Sequence, residues 1–180
     1  MIFRGLLQWE AVTKPKLYLL VGYPGAGKTT VSKLIAETTG AVHLWSDVER
    51  HKLFAQPTHA RQESVQLYEH LNRRAGELLA AGQSVVFDTN FNFAADRRKL
   101  RDIATRHGAE TIVIWVTVPE EVAKARAVHA AYSRNGYNVS MTEQQFDAIV
   151  SKLEAPAEDE KVIKIDGTKL DRETLIALVK

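Results

Sequence analysis

The 180 residues carry 24 Lys and Arg against 22 Asp and Glu, a formal net charge of +2, with 45% hydrophobic and 26% charged residues. That make-up excludes disordered and fibrous classes and suits one soluble domain, taken here as residues 1–180, and a charge so near neutral does not by itself mark a nucleic-acid binder. Cysteine is absent and no apolar run approaches ~20 residues, so disulfides, thiolate metal sites, membrane insertion and secretion are not expected, and a cytoplasmic location is.

Five β-type runs follow one another along the chain: Leu17 to Val21, Val42 to Trp45, Ser84 to Phe87, Thr111 to Val116 and Val162 to Ile165. Helix-type segments separate them. Runs such as Leu17-Tyr18-Leu19-Leu20-Val21 are continuously apolar rather than alternating, which predicts strands covered on both faces. The expected fold is α/β, a doubly wound five-stranded parallel sheet with helices on both faces. Helix-end signals stand at Asp96, at Gly108 after Arg106-His107, and at Pro119-Glu120-Glu121. A further helix is predicted over Met141 to Leu153. The linker-like piece Glu154 to Glu160 then leads into the last strand.

Directly after the first strand, Gly22-Tyr23-Pro24-Gly25-Ala26-Gly27-Lys28-Thr29 satisfies GxxxxGK[ST] and precedes the helix-compatible stretch Thr30 to Thr39. The glycines let successive backbone N–H groups turn inward around phosphate oxygens at the positive end of the following helix. This predicts the P-loop NTPase fold and a nucleoside triphosphate, ATP, as ligand. Lys28 reaches the β- and γ-phosphates, Thr29 holds Mg²⁺, and Thr30 adds a phosphate contact.

A helix of about 12 residues runs ~18 Å away from the loop and the next strand returns about as far, which brings Asp47 back toward the phosphates. There Asp47 is a candidate to orient and deprotonate an acceptor hydroxyl, and Arg50, one helical turn on, to hold an anionic part of the acceptor. The competing reading has Ser46 or Asp47 as a helix cap and Arg50 as a solvated side chain. The third run ends in Asp88-Thr89-Asn90. This is the form of a Walker B element, whose acid supports Mg²⁺, with a capped turn as the alternative.

The loop at 22–29, Asp47 with Arg50, and Asp88-Thr89-Asn90 followed by Arg97-Arg98 resemble polynucleotide 5′-hydroxyl kinases over roughly residues 16 to 168. The resemblance implies Asp47 as general base, Arg50 as acceptor-binding arginine, and Asp88 with Thr89 as the acceptor-side wall. The framework is also similar to zeta-toxin-type kinases of nucleotide sugars and to other small kinases. The acceptor expected is therefore a nucleic-acid 5′ end, with a metabolite or nucleotide sugar as the alternative. A non-transferring ATPase switch is a third reading, though no Asn-Lys-x-Asp guanine signature accompanies it.

A helical lid is expected over roughly 126–153. Arg126 is a candidate for nucleotide contact and Arg134 resembles the lid arginine that reaches the transferring phosphate, with Gly136 as a hinge. For either arginine a solvated position is the alternative. Residues near Gly167-Thr168 are placed to meet the base. The basic stretch Arg97, Arg98, Lys99, Arg101 and Arg106 is read as a solvated face or a backbone-tracking patch. Trp45, Trp115 and Phe146 are read as core, and no histidine metal site is assigned. The segment through Lys16, Trp9 included, carries no assignment.

Overall fold

The computed structural model describes residues 14–129 and 141–179. Five strands, β1 (Lys16–Val21), β2 (Val42–Trp45), β3 (Val85–Asp88), β4 (Glu110–Thr117) and β5 (Val162–Asp166), pair in the order β2-β3-β1-β4-β5. Every pairing is parallel. The predicted runs and the strands differ by a residue or so at either end, as hydrogen bonding extends β4 beyond its apolar centre.

Because successive strand residues face opposite ways, β1 builds two cores at once. Leu17, Leu19 and Val21 join the side chains of α3 (Arg61–Ala80) and α4 (Ala94–Arg106). Tyr18 and Leu20 join those of α1 (Lys28–Thr39) and α7 (Arg172–Val179). From Leu17 to Val21 none is more than 1% exposed, and each leucine there contributes about 2 kcal/mol relative to an exposed one. The remaining helices are α2 (Ser46–Leu53), α5 (Glu120–Val128) and α6 (Glu143–Val150). Among the described residues no helix is long and apolar enough to cross a membrane.

Helix α7 was not anticipated from sequence. It buries Leu175 and Val179, and the Tyr18 hydroxyl donates to the Val179 carbonyl at 3.2 Å. Desolvation at this seat, with help from the negative charge of Glu110, pushes the Tyr18 phenol up to about 12.

The basic stretch on α4 is not uniformly a solvated face. Arg98 and Lys99 are exposed, but Arg97 is 1% exposed and its Nε and Nη2 donate to the two carboxylate oxygens of Glu160 at 2.8 and 3.0 Å. Its remaining donors meet the carbonyls of Phe91, Glu154 and Ala155 at 2.9, 3.1 and 3.4 Å. A guanidinium so deep persists because every donor is matched. The interaction fastens the linker 154–160 to the start of α4.

Arg97→Ala leaves the Glu160 carboxylate buried without its partner, and is expected to lower the unfolding free energy by about 3–5 kcal/mol in urea titration. Arg97→Met combined with Glu160→Met should recover most of that loss. A single-variant effect below about 1 kcal/mol would contradict the clamp.

Candidate active site

The loop after β1 opens at the carboxyl end of the sheet, beside the crevice between β1 and β3 where chain order departs from spatial order. Its last glycine, Gly27, is the N-cap of α1 with φ 103°, and no side chain caps the helix. A Cβ at Gly27 would meet nothing within 4 Å, and Gly27, Lys28, Thr29 and Thr30 line the cavity at the positive end of the helix. Gly167, after β5, closes the loop from behind, because a Cβ there would lie 2.3 Å from the Ala26 carbonyl oxygen. Only glycine permits that approach.

The Lys28 ammonium folds back on the loop and donates to the carbonyls of Gly22 and Tyr23 at 2.9 and 2.8 Å. Burial lowers its pKa from 10.5 to about 8, partly countered by the nearby charge of Asp88. The Thr29 hydroxyl donates to Asp88 Oδ1 at 3.4 Å, and Asp88 is 4% exposed. A hydroxyl and a carboxylate oxygen beside an anion cradle form the hard donor set that Mg²⁺ takes together with phosphates. Thr29 and Asp88 are the residues that would hold it. Among the described residues no cluster of three or more His, Asp or Glu forms a separate metal site.

Asp88 has a neighbour that the sequence reading passed over. His43 Nε2 lies 3.0 Å from Asp88 Oδ2, and its ring stacks on Trp45 with centroids 5.6 Å apart at 12°. Lys33 Nζ sits 4.8 Å from the Trp45 ring centre. Trp45, expected in the core, is half-buried and lines the cavity instead. The signal was available in the period of two along β2, which puts residues 43 and 45 on the face that Asp88 shares.

The cavity occupies about 830 Å³. Pro24, Gly25, Gly27, Lys28, Thr29, Thr30 and Arg126 line its loop end, and Asp47, Arg50, Asp88, Thr89 and Asn90 its other side. The rest of the loop serves beneath the surface: Ala26 is fully buried, and Tyr23 packs edge-on against Phe146 of α6 at 6.5 Å. Arg126 donates to the Gly167 carbonyl at 3.1 Å, which links α5 to the turn after β5. Arg134 and Gly136 lie outside the described residues.

Helix α2 begins at Ser46 with Trp45 as N-cap and no side-chain cap. Asp47 stands in its first turn, past the N-cap position, and lines the cavity. Arg50 lines the cavity but is not solvated. It is 6% exposed, with Nη1 on Glu63 Oε1 and Nη2 donating to the Ser64 hydroxyl at 3.3 Å. Glu63 also accepts from the Thr58 N–H at 2.6 Å, the Thr58 hydroxyl at 2.8 Å and the His59 N–H at 3.2 Å. Desolvation works against ionisation there, but the hydrogen bonds from Thr58, Arg50 and His59 outweigh it and lower the Glu63 carboxyl from 4.5 to about 2. His59 lines the cavity with φ 57°, the left-handed region, where a residue with a Cβ is strained by on the order of 1 kcal/mol. Tyr68 completes the wall through a 2.9 Å hydroxyl contact with Thr89. Neither His59 nor Tyr68 stood out in the sequence, since each depends on how the turn before α3 is tied down.

A carboxyl whose folded pKa lies below its unfolded value stabilises the fold above the unfolded pKa and loses that contribution as pH falls through the folded one. The stability gap between the wild type and Glu63→Gln should therefore be full above about pH 4.5 and close as pH approaches about 2. Denaturant titrations across that range would show it, and a gap independent of pH would refute it.

The AAA domain family profile matches residues 17–156. A shikimate kinase of Persephonella marina (strain DSM 14350 / EX-H1) is 28% identical over 109 residues, which cover 59% of this chain and 64% of that protein. The chain thus spans less than two thirds of that relative's length. Among solved structures, a provisionally assigned kinase of Chloroflexus aurantiacus j-10-fl superposes with a TM-score of 0.74 at 19% identity, covering 92% of this chain and 94% of that one. The APS kinase of Mycobacterium tuberculosis, solved with AMPPNP and APS, gives a TM-score of 0.66 at 19% identity over 92% and 96%. A sugar kinase of Janibacter sp. HTCC2649 gives 0.65 at 20% over 91% of each. At these identities the structures speak to the fold, and it is theirs: a five-stranded parallel sheet flanked by helices, with a phosphate-binding loop after the first strand. With most of its length matched by one family profile, the chain belongs to the AAA domain family.

Proposed function

We propose that the protein is an ATP-dependent kinase that transfers the γ-phosphoryl group to the hydroxyl of a small molecule. The observation that carries this reading is the single cavity that joins the phosphate loop, through Thr29 and Asp88, to the polar wall of Asp47, Tyr68, Thr89 and Asn90. Of the two acceptors expected from sequence, the small molecule is favoured. The cavity volume of about 830 Å³ suits a nucleotide and a compact partner. Arg97, part of the stretch that would have followed a polynucleotide backbone, is instead buried against Glu160. The shikimate kinase relative points the same way.

In this reading Asp47 accepts the proton of the acceptor hydroxyl as its oxygen bonds to the γ-phosphorus, while the bond from that phosphorus to the β–γ bridging oxygen breaks and ADP departs. The first-turn N–H groups of α1 hold the phosphates in place, and Lys28 turns from the loop carbonyls toward them. Mg²⁺, when bound at Thr29 and Asp88, supplies neutralising charge. Thr89 and Asn90 orient the acceptor beside Asp47. Arg126 helps seat the nucleotide from α5, and Arg134 is proposed to reach the transferring phosphate.

Labelled ATP offered with a panel of small alcohols and 5′-hydroxyl oligonucleotides should label a small alcohol. Asp47→Asn is expected to lower kcat by about 10²–10⁴ while ATP affinity holds. Near-normal turnover in that variant would remove the proposed base. Asp88→Asn should raise the Mg²⁺ concentration needed for half-maximal rate by about tenfold or more, and an unchanged requirement would argue against its metal role.

A further inference from the structure

The acceptor end of the cavity brings together Asp47, Arg50, His59, Tyr68, Thr89 and Asn90. Other permanent cations line the cavity, Lys28 and Arg126 bonded to backbone carbonyls, Lys33 over the Trp45 ring and Arg172 beside Glu37; Arg50 is the cation that shares helix α2 with Asp47, and its charge is already matched. Its guanidinium is 6% exposed and bonded to Glu63, itself 9% exposed. For an anionic acceptor to capture Arg50, it would have to displace Glu63, and that carboxylate also receives the N–H groups of Thr58 and His59. Displacement would leave those donors without their acceptor, a cost that no single new ion pair offsets.

What the same wall does offer is a set of hydroxyl-matching groups. The Tyr68 and Thr89 hydroxyls and the Asn90 amide both donate and accept, and so does a neutral imidazole. His59 is held in this wall in the left-handed conformation, φ 57°, with its N–H tied to Glu63 at 3.2 Å. His59 is exposed and lines the cavity, its backbone held by a buried carboxylate in a conformation that costs strain.

We infer that the acceptor is a neutral polyhydroxyl molecule, sugar-like or polyol-like, that His59 reads one of its hydroxyls, and that Arg50 and Glu63 are the positioning pair that presents His59. This rests on the kinase reading above and narrows its substrate class. It also reassigns Arg50, whose expected role was to bind an anionic group of the acceptor.

The test pairs each aldose or alditol with the aldonic acid of the same carbon skeleton, with ATP, Mg²⁺ and the full chain. The neutral member should show a kcat/KM at least about tenfold higher. Glycine adopts positive φ without strain, so His59→Gly should keep or raise Tm and leave the KM for ATP unchanged, while the acceptor KM rises about tenfold. His59→Asn, which tolerates the same backbone and keeps a donor and an acceptor, should recover most of that affinity. Glu63→Gln should raise the acceptor KM with ATP binding intact. Preference for anionic acceptors, oligonucleotides included, or an unchanged acceptor KM in His59→Gly overturns the inference while leaving the kinase reading standing. ATP binding with no alcohol phosphorylated anywhere in the panel overturns the kinase reading, and the inference with it.

Discussion

The contact between Thr29 and Asp88 joins the first turn of α1 to the end of β3, 59 residues apart. It exists because β1 and β3 are paired in parallel, with Leu19 opposite Phe87, so that the turn leaving one strand and the carboxylate ending the other emerge side by side. Everything at the site is measured from that adjacency. The cradle on α1 faces one side of it, His43 and Trp45 line another, and the wall beginning at Thr89 faces the third. A slip of one residue in this pairing would turn Asp88 to the opposite face of the sheet and leave the loop without its acid.

The elements that could be read from the sequence were those specified by local chemistry. Continuous apolar runs announced the strands, and the loop announced itself through spacing alone, since nothing but glycine and a small set of partners suits a turn that wraps anions. Asp47 and Asp88 were legible because strand and helix lengths fix where a chain returns. Arg50 and Arg97 were not. Arg50 was expected to hold an anionic part of the acceptor and Arg97 to lie on a solvated or backbone-tracking face, whereas each is buried against a carboxylate supplied from elsewhere, Glu63 from α3 and Glu160 from the linker before β5. Nothing in a one-dimensional pattern pairs a carboxylate 13 or 63 positions distant with a particular guanidinium. His59 escaped for a related reason, as its backbone conformation is imposed by the same carboxylate.

Those two arginines share a design principle. Each converts an irregular segment into a fixed surface by giving its backbone groups a buried ionic partner: residues 58 and 59 gather on the carboxylate that Arg50 holds, and the carbonyls of 154 and 155 gather on Arg97 itself. Loops carry much of the recognition in folds of this kind, and a loop is useful for recognition only when something limits its freedom. In this molecule the limit comes from charge satisfaction below the surface.

Helix α6 inherits a mechanical consequence. Glu154 is pinned twice, its N–H on the Asn92 carbonyl and its own carbonyl on Arg97, and only residues 151–153 separate it from the end of the helix. Three residues at full extension span about 10 Å. The helix therefore hangs on a short leash whose far end is bolted beside the third strand, while Phe146 rests on Tyr23 of the phosphate turn. The helix is thus held at its far end by that anchorage and along its length by Lys124 on Glu143 and Asp147, with the aromatic pair as its contact with the turn after β1.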